Sequence, residues 1–171
     1  MITSLQKTLH PIPSPSYNTT MALYKDSNYT TPHTGPEVTL FTEEFLYVGV
    51  FILGGDPSNA VLVMKNCYAT PTNDADYPVR YYIIQNSCPN IHDGTMSVEE
   101  NGVSRQGRFS VQMFKFVGSH DEVYLHCAVS LCDIAIGSCR PMWLHFSLFP
   151  FDFSGCGPGK HLDLSSSLSD R

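Results

Sequence analysis

The sequence predicts an all-β protein, an antiparallel sandwich or barrel of about seven or eight strands, from three observations. Its apolar residues fall in short runs rich in Val, Ile, Tyr and Phe, and no run sustains a 3.6-residue period. Turn residues separate the runs: Gly54-Gly55-Asp56-Pro57, Asn73-Asp74, Cys88-Pro89-Asn90, Asn101-Gly102 and Gly118-Ser119-His120-Asp121. Six cysteines in 171 residues, of which only 15% are charged, then suggest a module stapled by disulfides in an oxidising compartment.

Taken in order, residues 1–20 read as a linker, within a stretch from 11 to 35 rich in Pro, Ser, Thr and Asn. Inside that stretch TTMALY, residues 19–24, has the pattern of a short strand. Residues 21–142 hold the main fold. Its runs are EVTLF (37–41), FLYVGVFIL (45–53), AVLVMKNCYA (60–69), VRYYIIQ (79–85), TMSVEE (95–100), RFSVQMFKFV (108–117) and VYLHCAVSLC (123–132). Asn101-Gly102 predicts a tight hairpin turn, because both residues tolerate positive φ. In RFSVQMFKF the apolar phase moves from Phe109, Val111 and Met113 to Phe114 and Phe116, which predicts a bulge or a strand covered on both faces. Residues 143–171 carry bulky apolar residues without alternation, then Gly, Pro and Ser, and predict a disordered tail.

Composition narrows the function. A net charge of −6 gives no basic field for nucleic acid. No segment reaches the roughly 20 apolar residues of a membrane span, and the N-terminus lacks the apolar core of a signal peptide. Two glycosylation sequons, Asn18-Thr19-Thr20 and Asn28-Tyr29-Thr30, join the cysteines in favouring the secretory route. The expectation is an extracellular, secreted or cell-surface chain that is a fragment of a larger protein.

The stretch 123–132 alternates cleanly, so Val123, Leu125, Cys127, Val129 and Leu131 share one face. That face is wholly apolar and must be the core side. Tyr124, His126, Ala128, Ser130 and Cys132 share the other. A single metal ion cannot take Cys127 and Cys132 from opposite faces of a regular strand, and His126 lies roughly 20 Å from Cys132 at strand rise. Cys127 therefore needs an inward partner on another strand, for which Cys67 is the natural candidate. Cys132 and Cys139 flank DIAIGS, where Gly137 allows a return, and can close a small surface loop.

No residues assemble into a catalytic site, and the chain reads as non-enzymatic and without cofactor or metal. A Gly-x-Ser-x-Gly nucleophile turn is absent. The pairs Glu43-Glu44 and Glu99-Glu100 are strand neighbours that should point to opposite faces. Asp74 and Asp76 lie in a loop with Asn73 and read as solvated rather than as calcium ligands. His92, His120 and His126 read as ordinary surface or packed histidines.

The stretches FLYVG, NCYATP, YYIIQNSCP, ENG, GRFSVQMFKF and VYLHCAVSLCD together resemble the C-terminal half of a zona pellucida (ZP) module, from about Met21 to Cys139. SLQKTLHPI, residues 4–12, resembles the linker between the two ZP halves. The resemblance implies an immunoglobulin-like β-sandwich with Cys67 joined to Cys127 and Cys132 to Cys139. It puts a partner for Cys88 at the position of Trp143, which leaves Cys156 as the next cysteine available. A basic protease site, an outer hydrophobic patch and a membrane anchor, all downstream in the family, have no counterpart here. Nor does the N-terminal half that drives assembly. The resemblance further implies a glycoprotein whose partners are other ZP modules in an extracellular filament or matrix, with glycans that bacterial adhesins bind. The alternative is a soluble glycan-presenting or receptor-type module that captures microbes without polymerising.

Overall fold

A computed structural model of the chain describes residues 2–11, 17–55, 59–118 and 120–141, with 2–11 described as backbone. Among these residues ten strands form two sheets and there is no helix. The strands are β1 (Ile2–Pro11), β2 (Asn18–Tyr24), β3 (Val38–Phe41), β4 (Phe45–Leu53), β5 (Ala60–Thr70), β6 (Tyr81–Gln85), β7 (Cys88–Pro89), β8 (Ser97–Glu100), β9 (Gln106–Gln112) and β10 (Glu122–Asp133). One sheet has the order β3-β1-β10-β5-β6-β7 and the other β2-β4-β9-β8. The architecture is an immunoglobulin-like sandwich.

Period-two patterning builds the core. Strand β4 sends Leu46, Val48, Val50 and Ile52 inward, β2 sends Met21 and Leu23, and β9 sends Phe109 and Val111. They meet Val123, Leu125, Cys127 and Val129 of β10 across the sandwich. Burying each large apolar side chain contributes roughly 1.5–3 kcal/mol, so these rows hold the two sheets together.

Strand β5 changes phase midway. Leu62 and Met64 face the core, then Cys67 and Ala69, because the register against β10 shifts between Ala128 and Val129. Val61 and Val63 are buried as well, on the opposite side, where they pack with Cys139. The first half of β5 is thus covered on both faces.

Four departures from the sequence expectations have physical reasons. Residues 2–11, within the stretch read as linker, pair as β1, antiparallel to β3 and parallel to β10. The sheet is therefore not wholly antiparallel. Strand β9 ends at Gln112 rather than bulging: Met113 is still buried and Phe114 and Phe116 pack against the core, but from irregular backbone. A two-residue β-bridge, β7, extends the sheet beyond β6. Finally, Asn101-Gly102 is not a two-residue hairpin turn, since Gly102 has φ 72° while Asn101 keeps a negative φ.

Instead the loop after β8 docks on β5. The Asn101 side chain accepts from the Met64 N–H at 2.7 Å and donates to the Met64 carbonyl at 3.1 Å. Gly102 N–H donates to the Leu62 carbonyl and Leu62 N–H to the Ser104 carbonyl. Strand β6 pairs with β5 only from Cys67 onward, so this loop satisfies backbone groups that β6 leaves unpaired. A β-carbon on Gly102 would stand 2.3 Å from the Cys139 carbonyl oxygen, so glycine is required by space as well as by φ.

Candidate functional site

Disulfides and covered faces, rather than a polar cleft, are what the strands assemble. Cys67 and Cys127 are directly opposed on β5 and β10, both fully buried, and form a disulfide. Cys132 at the end of β10 bonds Cys139, which is buried beside Val61 and Val63. Cys88 is disulfide-bonded as well. Beside this framework runs a groove of about 750 Å³, lined by Lys65, Leu131, Asp133 and Arg140 among others. Its described lining has no histidine or glutamate, and its cysteines are all bonded, so its thiols are not available as nucleophiles. Among the described residues no group of three or more His, Cys, Asp or Glu is placed to hold a metal.

The histidines and loop carboxylates lie apart. His126 is completely buried even though strand alternation turns it away from the core. Tyr68 stacks on it at 5.2 Å, and its Nε2 is 2.7 Å from the Thr70 hydroxyl. Tyr68 is held in turn by Arg80, 5.0 Å above its ring, and by a bond to the Ala75 carbonyl at 3.0 Å. Asp74 accepts from the Asp76 N–H at 2.9 Å, and Asp76 pairs with Arg80 at 3.2 Å, so both carboxylates organise their own loop. His92 sits in an exposed turn where Asn90 accepts from its N–H, and His120 lies in the loop before β10.

The pair Glu99-Glu100 departs from simple alternation. A register shift between Val98 and Glu100 brings both carboxylates to outward-facing residues of β9. Glu99 accepts from the Ser110 hydroxyl at 2.8 Å and the Tyr29 hydroxyl at 2.7 Å. Glu100 accepts from Arg108 at 3.0 Å, Gln106 at 2.9 Å and Ser104 at 2.5 Å. Burial, the bond to Glu99 and its negative charge hold the Tyr29 phenol well above its ordinary range, so it stays a donor. These carboxylates are consumed by their own sheet. Glu43, at φ 82°, and Glu44, which accepts from the Phe41 N–H at 2.6 Å, shape the β3–β4 turn.

One carboxylate predicts a pH dependence. Burial raises the Asp93 carboxyl, but bonds from the Thr95 hydroxyl, the Tyr81 hydroxyl and the Thr95 N–H outweigh it and leave the group below its ordinary 3.8. A depressed carboxylate stabilises the fold above its unfolded value, and the increment is lost as pH falls through the folded value. Asp93→Asn is therefore expected to cost about 0.5 kcal/mol at pH 7, given solvent screening, and almost nothing at pH 2. Urea melts of both proteins across pH 2–7 check this; parallel losses at all pH values would contradict it.

The comparisons with known proteins rest on this same framework. The family model for the ZP-C domain matches residues 13–140. The chain belongs to the zona pellucida family. It is 57% identical over 121 residues to uromodulin of Mus musculus, covering 71% of this chain and 19% of that protein. It is 48% identical over 150 residues to the pancreatic secretory granule membrane major glycoprotein GP2 of Canis lupus familiaris, covering 82% and 30% respectively. Alpha-tectorin of Gallus gallus is 50% identical over 130 residues, covering 76% and 6%. The chain thus spans under a third of the length of these ZP relatives.

Sequence reasoning missed three contributors to this ZP-C framework. They are Asn101, β1 and the outward Tyr29–Glu99 pair. Asn101 carried a signal, since an Asn-Gly pair whose asparagine can be buried reads equally as a loop anchor. Tyr29 carried none, because its contact lies 70 residues away.

Proposed function

We propose that the chain is the C-terminal half of a ZP module in an extracellular, non-enzymatic glycoprotein, and that its role is to form part of a filament or matrix subunit. The family match over residues 13–140 carries this reading. The buried core, where Cys67–Cys127 bonds neighbouring strands β5 and β10 of one sheet, suits a subunit that stays closed under tension more than a site that must open. The partners we propose are other ZP modules, with residues 1–20 as the linker from the N-terminal half, its residues 2–11 docking into the sheet as β1, residues 21–142 as the rest of the subdomain and 143–171 as a divergent tail. Cys156 is the partner we propose for Cys88. Asn18 and Asn28 are both exposed and are the proposed glycan carriers, through which bacterial adhesins would be held.

Chromatography and electron microscopy test the proposal. Residues 1–171 alone should run as monodisperse particles, while the same residues joined through Met1 to a ZP N-terminal half should form filaments. Filaments from residues 1–171 alone, or none from the joined polypeptide, would overturn it.

A further inference from the structure

The outer face of the β2-β4-β9-β8 sheet divides into an apolar and a polar half. On β4, Phe45, Tyr47, Phe51 and Leu53 point outward, with Leu53 half exposed. The rings run on without a break: Phe51 meets Tyr24 at 6.5 Å, Tyr24 meets Tyr29 at 5.6 Å, and Tyr29 meets Tyr47 at 5.9 Å. Gly49 lies beneath this chain, and a β-carbon there would stand 2.6 Å from the Phe51 ring. Phe51 therefore lies down across the strand instead of standing off it.

Both sequons adjoin this face. In β2, Met21 and Leu23 face the core, so Asn18, Thr20, Ala22 and Tyr24 face outward. Asn18 is directly opposite Leu53 and Thr20 opposite Phe51. Strand neighbours are about 5 Å apart, so a sugar on the Asn18 amide starts within one ring's reach of Leu53 and Phe51. Asn28 sits differently. Asp26 accepts from the N–H of Asn28 and Thr31 and from the Thr30 hydroxyl, which turns Tyr29, at φ 57°, down onto the sheet and leaves Asn28 exposed in the turn.

We propose that the N-glycan on Asn18 binds in cis to this face, its first N-acetylglucosamine rings lying on Leu53 and Phe51. The inference rests on the extracellular-glycoprotein reading above. In the transfer that installs the glycan, the Asn18 amide nitrogen bonds to the anomeric carbon of a lipid pyrophosphate-linked oligosaccharide. The bond from that carbon to the pyrophosphate oxygen breaks, the amide gives up one proton, and the lipid pyrophosphate leaves. The apolar C–H face of a pyranose matches the flat, partly buried Phe51 ring and the half-exposed Leu53 side chain. Covalent attachment supplies a high effective concentration, so a weak contact suffices to keep the sugar seated. The glycan then also shields β2, an edge strand of its sheet.

The test uses the full chain, secreted with a 13C-labelled glycan. Peptide mass mapping should find Asn18 occupied. The N-acetyl protons of its first sugar should be shifted upfield by the Phe51 ring, relative to the Asn28 glycan. Phe51→Ala should abolish the shift. Leu53→Ser, at a half-exposed site, should reduce it in a protein that still folds. An occupied Asn18 whose sugar resonances match the urea-unfolded chain would overturn the inference and leave the glycoprotein reading intact. An unoccupied Asn18 would also overturn it, and vacancy at both sequons would count against the glycoprotein reading itself.

Discussion

Replacing Cys67 and Cys127 together by alanine is expected to lower stability by about 4 kcal/mol. The bond joins residues 60 apart, and releasing a loop of that length restores about this much entropy to the unfolded chain. A domain of this size has a total stability of about 5–15 kcal/mol, so the variant should be partly unfolded near body temperature. The neighbouring Cys132–Cys139 bond has a sequence separation of only 7, so on the same model its removal should cost about 2.5 kcal/mol. Guanidinium unfolding of oxidised proteins measures both, and a loss under 1 kcal/mol for the Cys67/Cys127 double variant would contradict the account. Because both sulfurs are wholly buried, reduction should also be slow until the fold opens, which thiol labelling over time would reveal.

Asn101→Ala is expected to cost about 3 kcal/mol without touching the apolar core. The substitution leaves the Met64 N–H and carbonyl without partners in a place where water does not reach, since Asn101 and Met64 are both fully buried. Asn101→Asp keeps an acceptor for the N–H but brings in a buried charge and removes the donor, so it should be no better. Amide exchange at Met64 is the direct readout and should accelerate more than exchange at Val48 in the centre of β4. Equal acceleration at the two positions would mean a global loss of stability with no local role for Asn101.

These two sites differ in how visible they are from the sequence. The inward face of Cys127 follows from VYLHCAVSLC alone, because every second residue there is apolar. FLYVGVFIL likewise declares β4 and its core face through Leu46, Val48, Val50 and Ile52. AVLVMKNCYA declares a strand but not its faces, since the shift opposite Ala128 and Val129 changes the phase between Met64 and Cys67. Strand β1 was not legible: SLQKTLHP has little apolar periodicity, and its place beside β10 depends on backbone hydrogen bonds that almost any side chain permits.

The outward surface was harder to read. Glu99 and Glu100 look like an ordinary alternating pair, yet the β8 irregularity directs both onto β9. The sequons at Asn18 and Asn28 are visible as triplets, but their position beside Phe51 and Tyr29 emerges only when β2 pairs with β4 and the Asp26 turn folds back.

The sequence by itself determined the all-β class, eight of the ten strand segments found among the described residues, and the face on which Cys127 must lie. Tertiary structure alone decided that β1 enters parallel to β10, that Asn101 replaces a missing strand along β5, and that an aromatic row lies next to Asn18. The reason is physical: side-chain period records which face of a strand meets the core. The choice of neighbouring strand is made by backbone groups that are the same in nearly every residue.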